Sequence, residues 1–276
     1  MQKRIPPLIL TFNMFDPVGA TGTQADLAVF SGYGCHGLCV PTAMLVADTA
    51  RIEEVHPMEC DWLVDQARVL LEDMPVAAFK VGALASIAQV SSIAEVLADY
   101  PHIPLILDPF MSALPEGGVP GEDMLEAVRQ VLIPQATVLV LSHTELERVA
   151  ESWRDPHPHE DMMAADAAEL TATGCEFVLV NCTAPHGHGD KKSLSNTLFD
   201  LEGEIETLTW PRLQGPFTGA GNTLSAAIAA MMALGHEAPD ASAHAQEYTA
   251  GALAHAQRFG MGKLVPNRLF RTFIQE

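Results

Sequence analysis

Short, nearly all-apolar runs alternate with stretches of helical periodicity from end to end of the chain, and this alternation limits the folds that the chain can adopt. Strands covered on both faces have such runs, because neither face meets water. Strands separated by helices favour a mainly parallel sheet, since each helix carries the chain back across it. The predicted strands are Leu8–Phe12, Leu38–Val40, Ala77–Val81, Ile103–Leu107, Val138–Leu141 and Phe177–Val180.

The stretches with helical period lie between these strands, which together predict an α/β fold. Further along, Ser193–Asp200 and Glu204–Trp210 alternate in polarity around Leu201-Glu202-Gly203, which predicts a hairpin at an antiparallel edge. No linker divides the chain, so we predict a single domain over residues 1–276. The predicted helices are Gln24–Ser31, Trp62–Leu71, Ile87–Ala98, Met124–Val131, Leu146–Glu151, Met162–Leu170 and Leu224–Leu234.

Composition excludes several classes of function. With 276 residues, 48% of them hydrophobic, the chain is long enough to bury a large core. Its 15 Lys and Arg against 35 Asp and Glu give a formal charge of -20, which repels nucleic acid. No apolar run reaches the roughly 18 residues that span a bilayer, and no signal-peptide pattern is present, so we expect a cytoplasmic protein without a membrane partner. The five cysteines show no disulfide rhythm and are expected to be reduced.

The strongest local motif runs from Thr218 to Thr223, Thr-Gly-Ala-Gly-Asn-Thr, directly before a helix of small residues. Glycines that lead into a helix leave several backbone N–H groups directed at one point, where the helix dipole adds positive potential. The motif therefore predicts an anion site at Gly219–Asn222. The alternative is a plain loop in which Asn222 or Thr223 caps the helix.

A second glycine-bearing stretch, Phe15–Asp26, connects the first strand to the first helix. Asp26 follows Gly22 by one helical turn, where a carboxylate can accept hydrogen bonds from a ligand amine. The alternative is a solvated helical carboxylate. The stretch lacks the Gly-Lys-Ser/Thr ending of a phosphate-binding P-loop.

Acidic residues follow two of the central strands. Asp108 comes directly after one, and Glu147 lies in the segment that follows Val138–Leu141. Carboxylates at the carboxyl ends of parallel strands are placed to hold Mg²⁺ while the metal holds phosphates. The alternatives are an Asp-Pro turn at Asp108 and an exposed helix face at Glu147.

Taken in order, these segments resemble the hydroxymethylpyrimidine/phosphomethylpyrimidine kinases, within the ribokinase-like superfamily, over nearly the whole chain. Asp16–Asp26 resembles the family's first glycine loop, and Lys80-Val81-Gly82-Ala83-Leu84 its Lys-Ile-Gly-Met-Leu. Asp108-Pro109-Phe110-Met111 resembles its Asp-Pro-Val-Met, and Gly219–Ala226 its Gly-Thr-Gly-Cys-Thr-Leu-Ser-Ala.

The resemblance implies a three-layer α/β/α sandwich and an ATP- and Mg²⁺-dependent transfer of phosphate to the hydroxymethyl group of a 4-amino-2-methylpyrimidine. By the same resemblance, Asp26 binds the pyrimidine, and Asp108 and Glu147 organise Mg²⁺ and the nucleotide. The hole that stabilises charge on the transferred group is formed by Gly219, Ala220 and Gly221. A homodimer is the family's expectation.

The sequence also departs from the family pattern. Asn222 stands where the pyrimidine kinases have a Cys that receives the hydroxyl proton, and an amide cannot act as that base. The Asn of the family's Asn-x-x-Glu motif is Thr144, and the Lys of its Val-Lys-Gly-Gly segment is Asn181. Four further changes reshape the substrate pocket: Met14, Ala47, Ala83 and Phe110.

Two hypotheses of different classes follow. The first is a kinase of a pyrimidine or similar heteroaromatic alcohol, with pyridoxal as the nearest variant, in which Asn222 positions the nucleophile. A general base contributes about 10²–10⁴-fold, and phosphoryl transfer depends more on alignment, so its loss slows the reaction without abolishing it. The second is a ligand-binding or regulatory protein that has kept the fold and lost the transfer chemistry.

Overall fold

The fold is built on one nine-stranded sheet, seen in a computed structural model that describes residues 5–110, 121–150, 162–183 and 193–272. The strand order is β3-β2-β1-β4-β5-β6-β7-β8-β9. The six central strands, β2-β1-β4-β5-β6-β7, are parallel to one another. Strand β3 is antiparallel to β2 at one edge, and β8 and β9 form an antiparallel pair at the other. The strands are β1 Leu8–Phe15, β2 His36–Ala47, β3 Ile52–Pro57, β4 Val76–Val81, β5 Leu105–Leu107, β6 Val138–Ser142, β7 Phe177–Thr183, β8 Ser193–Asp200 and β9 Gly203–Pro211.

Helices cover both faces of the sheet, which confirms the predicted three-layer sandwich. Because successive strand residues point to opposite faces, Leu10 and Phe12 join one core cluster and Ile9 joins the other. The helices are α1 Gly22–Gly32, α2 Cys60–Asp73, α3 Ile87–Ala98, α4 Glu122–Ala127, α5 His143–Val149, α6 Met162–Ala172, α7 Ala220–Ala233 and α8 Ala238–Ala254. Helices α1, α7 and α8 lie on the second face. Among the described residues no helix is long and apolar enough to cross a bilayer.

Two elements, β3 and α8, are not predicted from the sequence, because each has a weak hydrophobic pattern. Strand β3 pairs antiparallel with the end of β2 and is mostly exposed, so it has no apolar run. Helix α8 packs through small side chains such as Ala241, Ala245 and Ala252, which give little contrast with its polar face. The predicted hairpin forms β8 and β9, and the single domain over residues 1–276 stays a prediction.

The sheet topology determines where a site can form. Strands β1, β4, β5 and β6 are parallel neighbours, so their carboxyl ends lie along one rim of the sheet. The residues at or just after these ends include Asn13, Asp108 and Ser142, and all three line one cavity with the amino-terminal turn of α7.

Candidate active site

The loop after β1 is shaped by the buried Asp16 carboxylate. This carboxylate accepts hydrogen bonds from the backbone N–H groups of Val18 (2.9 Å), Ala20 (3.1 Å) and Thr21 (2.8 Å), and from the Thr21 hydroxyl (2.9 Å). At the loop's end Gly22 has φ +66°, and a Cβ there would lie 2.1 Å from a backbone carbonyl oxygen. Only glycine fits this position, and the loop is fixed before α1 begins.

The second glycine loop lies directly against the first. Gly219 is the N-cap of α7 with φ +85°, and a Cβ on it would lie 1.8 Å from the Ala20 carbonyl oxygen. No side chain caps the helix, so the N–H groups of its first turn are directed at the cavity edge. Close contact between the loops thus depends on glycine at 219, and the geometry suits an anion.

Arg268, near the end of the described chain, joins the two loops. Its guanidinium donates hydrogen bonds to the carbonyl oxygens of Gly19 (2.9 Å), Ala20 and Gly219 (3.4 Å), and to the Thr223 hydroxyl (3.0 Å). Burial lowers the pKa of Arg268 to about 10, while nearby Asp26 favours the charged form. The guanidinium therefore stays positively charged at neutral pH and connects the two glycine loops through these hydrogen bonds.

Asp26 lies behind the cavity and has no exposed surface. One of its carboxylate oxygens accepts hydrogen bonds from the Thr11 hydroxyl (2.7 Å) and Asn13 Nδ2 (3.0 Å). The other accepts a hydrogen bond from Asn222 Nδ2 (2.6 Å) and forms an ion pair with Lys80 Nζ (2.9 Å), whose angles fall outside those of a hydrogen bond. Lys80 is also fully buried, so charge is balanced inside the core.

The Asn222 side chain is held in one orientation. A carboxylate only accepts hydrogen bonds, so the Asn222 atom 2.6 Å from Asp26 must be the amide nitrogen. Its carbonyl oxygen then accepts hydrogen bonds from the Gly22 N–H (3.0 Å) and from Asn13 Nδ2 (3.2 Å). Asn222 thus bridges the start of α1, the end of β1 and the start of α7.

A second carboxylate, Asp108, is only half-buried and faces the cavity. It accepts a hydrogen bond from the Ser225 hydroxyl (2.6 Å). Burial raises the pKa of the Asp108 carboxyl to about 6, against the opposing effects of the Lys80 ammonium and of the Ser225 hydrogen bond. The Glu145 carboxylate adds to the rise, because two negative charges near one another disfavour ionisation.

Glu145 lines the same cavity as the first turn of α7 and is fixed by a capping box at the start of α5. Ser142 Oγ accepts a hydrogen bond from the Glu145 N–H (3.4 Å), and Glu145 Oε2 accepts one from the Ser142 N–H (2.7 Å). This reciprocal pair holds the Glu145 side chain beside the end of β6.

Two adjoining cavities meet at the first turn of α7. One, of about 240 Å³, is lined by Asn13, Asp108, Glu145 and the residues from Thr218 to Asn222. The other, of about 310 Å³, lies between β8, β9 and α8 and has a largely apolar lining that includes Trp210. Asn181, Phe217, Ala220 and Gly221 line both. The first-turn N–H groups of α7 therefore lie at the boundary between two ligand-sized spaces.

The structure brings most of the sequence-predicted site residues together. Gly219, Ala220, Gly221, Asn222 and Asp108 all line the smaller cavity. Ala83 and Phe110, expected to reshape the substrate pocket, line it too, whereas Ala47 borders a cavity of only about 20 Å³ under the β2–β3 turn.

Two predicted site residues lie elsewhere. Asp26 is enclosed behind Asn13 and Asn222, and it does not line the cavity. Glu147 lies on α5 with its carboxylate 3.7 Å from the ring of His143 and does not line it either. The sequence comparison places the Asn-x-x-Glu motif at Thr144 and Glu147, which would make Thr144 the residue before the helix. Helix α5 begins two residues earlier, with Ser142 as its N-cap. Ser142 and Glu145 have the same spacing and face the cavity.

Sequence reasoning also misses four residues that build the site: Asn13, Lys80, Lys263 and Arg268. Lys80 carries a readable signal, since a lone cation within a buried strand requires a buried anion as partner. The other three carry none, because their partners lie far away in the chain. Lys263 lines the smaller cavity and is held there by a hydrogen bond from its N–H to the Thr49 carbonyl oxygen (2.8 Å).

Comparison with known proteins finds similar sequences over nearly the whole chain. The profile of the phosphomethylpyrimidine kinase family matches residues 16–267. The hydroxymethylpyrimidine/phosphomethylpyrimidine kinase of Salmonella typhimurium is 31% identical over 256 residues, which are 92% of this chain and 93% of the relative. The kinase of the same name from Streptomyces coelicolor is 32% identical over 258 residues, 93% of this chain and 92% of the relative.

Solved structures show the same architecture. The phosphomethylpyrimidine kinase of Clostridium difficile 630 superposes with a TM-score of 0.73 at 26% identity, covering 91% of this chain and all 100% of the other. An ADP complex of the pyridoxal kinase of Bacillus subtilis superposes with a TM-score of 0.83 at 24% identity, covering 97% of this chain and 99% of the other. At that identity the second likeness shows the fold alone.

Proposed function

Since this chain belongs to the phosphomethylpyrimidine kinase family, we propose that it transfers the γ-phosphoryl group of ATP to the hydroxymethyl group of 4-amino-5-hydroxymethyl-2-methylpyrimidine, of its phosphate, or of both, in thiamine biosynthesis. The observation that carries the proposal is the uncapped first turn of α7 at the boundary of two cavities, with Asp108 and Glu145 facing the same space.

The larger cavity suits the nucleotide. Its largely apolar lining, with Trp210 and Phe217, offers surface to a base, and Arg212 brings positive charge to it. The transferred phosphoryl group then lies at the first turn of α7, where the N–H groups of Ala220 and Gly221 stabilise its developing charge. The alcohol occupies the smaller cavity on the other side of that turn.

Asp108 and Glu145 would hold Mg²⁺. Both are carboxylates that line the same cavity, which fits a cation bound by one or two carboxylates and by substrate phosphates. Among the described residues, no group of three or more His, Cys, Asp or Glu side chains is placed to hold a metal ion by itself. When bound, the metal neutralises charge on the phosphates.

Asn222 would position the alcohol instead of removing its proton. One of its two amide hydrogens is donated to Asp26, which leaves the other for a ligand oxygen. Because phosphoryl transfer depends mainly on alignment and electrostatics, we expect slower turnover and not a silent enzyme. Asn181 occupies the position of the family's lysine and carries no charge. Lys263, which lines the same cavity, would supply a cation in its place. A homodimer and a cytoplasmic location stay predictions.

Mass spectrometry tests the proposal directly. The purified protein is incubated with Mg²⁺-ATP and, in separate reactions, hydroxymethylpyrimidine, hydroxymethylpyrimidine phosphate and pyridoxal. We expect phosphorylated product from one or both pyrimidines, and loss of most of it in Asp108→Asn. Product from pyridoxal alone would replace the substrate. Absence of product from all three, in a sample shown to be folded by circular dichroism, would favour the non-catalytic binding protein.

A further inference from the structure

We propose that Asn13 and Asn222 determine substrate specificity: they enclose the Asp26 carboxylate, so this enzyme accepts heteroaromatic alcohols whether or not the ring carries an amino group. The inference rests on the proposed function, because it concerns the alcohol in the smaller cavity. It assigns to Asn13 a role that the sequence gives no hint of, and it removes Asp26 from direct contact with the ligand.

The Asp26 carboxylate is surrounded by polar groups of the protein. An ionised carboxylate offers about four lone-pair directions. Here four groups lie within 3.0 Å of its two oxygens: Thr11 Oγ1, Asn13 Nδ2, Asn222 Nδ2 and Lys80 Nζ. Each oxygen has two of them. Hydrogen bonds take three of the four directions, and the Lys80 ammonium lies against the oxygen that accepts only one of them.

Asn13 and Asn222 lie between the smaller cavity and the Asp26 carboxylate. Asp26 has no exposed surface, whereas Asn13 and Asn222 both line the smaller cavity. Their side chains are hydrogen-bonded to each other, with Asn13 Nδ2 3.2 Å from Asn222 Oδ1. A ligand in the cavity therefore meets this pair of amides before it could reach the carboxylate.

The amide pair offers a ligand a single hydrogen-bond donor. Both Nδ2 hydrogens of Asn13 are used, one on Asp26 and one on Asn222, and its oxygen accepts a hydrogen bond from the Met14 N–H (2.9 Å). Asn222 Oδ1 already accepts two hydrogen bonds. The one unused donor is the second hydrogen of Asn222 Nδ2. In front of Asp26 the cavity wall thus presents a neutral donor where an amine needs a strong acceptor.

The energetic consequence is a loss of discrimination. A hydrogen bond to a charged acceptor contributes about 1.5–3 kcal/mol, which corresponds to about 10–150-fold in affinity. With the carboxylate enclosed, a pyrimidine methanol loses little when its amino group is removed. We expect the ratio of kcat/KM for 4-amino-5-hydroxymethyl-2-methylpyrimidine to that for 5-hydroxymethyl-2-methylpyrimidine to lie within about threefold of one.

The test measures this ratio in four proteins, together with the Kd of each alcohol in the absence of ATP. Asn13→Ala, and Asn13→Ala combined with Asn222→Ala, open a path from the cavity to Asp26. We expect the ratio to rise at least about tenfold in the double variant. Thr11→Val is the matched control: it also removes a donor from Asp26, but Thr11 does not line the cavity, so its ratio should stay near that of the unmodified protein.

The outcomes separate this inference from the proposed function. A more than tenfold preference of the unmodified protein for the amino compound would overturn the inference and leave the kinase intact. So would an equal rise of the ratio in Thr11→Val, because a loosened core would then explain it. Binding of both alcohols with equal Kd but no phosphorylation would overturn the kinase and support the inference. Binding of neither would overturn both.

Discussion

Two carboxylates near the start of α7, Asp26 and Asp108, are treated in opposite ways by the fold. Asp26 is sealed in the core with three hydrogen-bond donors and the Lys80 ammonium around it. Asp108 accepts a hydrogen bond from the Ser225 hydroxyl, faces the cavity, and has a pKa that burial raises to about 6. Enclosure by donors and a cation thus separates a carboxylate that supports the structure from one that stays accessible at the cavity.

The largest expected effect comes from removing the partner of the sealed carboxylate. Lys80→Met leaves Asp26 without its cation in the core, and breaking a buried ion pair costs about 3–5 kcal/mol. Urea unfolding should show this loss in the free energy of unfolding. Adding Asp26→Asn to Lys80→Met should recover part of it, because the unpaired charge is then gone. No loss in Lys80→Met would mean that the three donors alone support the charge.

The close contact between the two glycine loops beside these carboxylates can be broken at one position, Gly219. Gly219→Ala places a Cβ against the Ala20 carbonyl oxygen at positive φ, so we expect a loss of about 2–3 kcal/mol and of most activity. Gly221→Ala is the matched change, since a Cβ there meets no atom within 4 Å. Its free energy of unfolding should stay within about 1 kcal/mol of the unmodified protein. Equal losses in both variants would argue against the loop contact.

At the cavity that Asp108 faces, two neighbouring glutamates on α5 can be compared directly. Glu145 lines the cavity and Glu147, two residues later on α5, does not. We expect Glu145→Gln to lower kcat/KM by about 10–100-fold, mostly with a higher requirement for Mg²⁺, and Glu147→Gln to change it less than about threefold. Steady-state kinetics over a series of Mg²⁺ concentrations measures both. The reverse order would restore Glu147 to the role that the sequence assigns to it.

The smallest effect concerns the pH dependence of stability at Asp108. Its folded pKa of about 6 lies above the usual value near 3.9, so the folded state binds this proton more readily than the unfolded state does. Ionised Asp108 therefore destabilises the fold above pH 6, and this cost disappears as the pH falls towards 4. Asp108→Asn should raise the free energy of unfolding by about 1 kcal/mol at pH 8, with no gain at pH 4. A gain that is independent of pH would contradict the assignment.

The sequence predicts the strands and the glycine loops of this molecule better than the side-chain contacts within its site. The central strands and the Gly219 loop follow from local patterns, since apolar runs and glycines act within a few residues. The enclosure of Asp26 does not, because its partners lie on β1, β4 and α7 and meet only in the folded chain. Glu147 shows the same limit on a smaller scale: a two-residue difference in where α5 begins decides which acid faces the cavity.

Arg268 also has a consequence for how the site comes into being during protein synthesis. The ribosome completes the loop after β1 early, yet the guanidinium that holds its Gly19 and Ala20 carbonyl groups follows 249 and 248 positions later. Amino-terminal segments emerge and begin to fold first. A nascent chain can therefore form much of its sheet before Arg268 joins the two glycine loops, and the first turn of α7 gains its final support only when this last contact has formed.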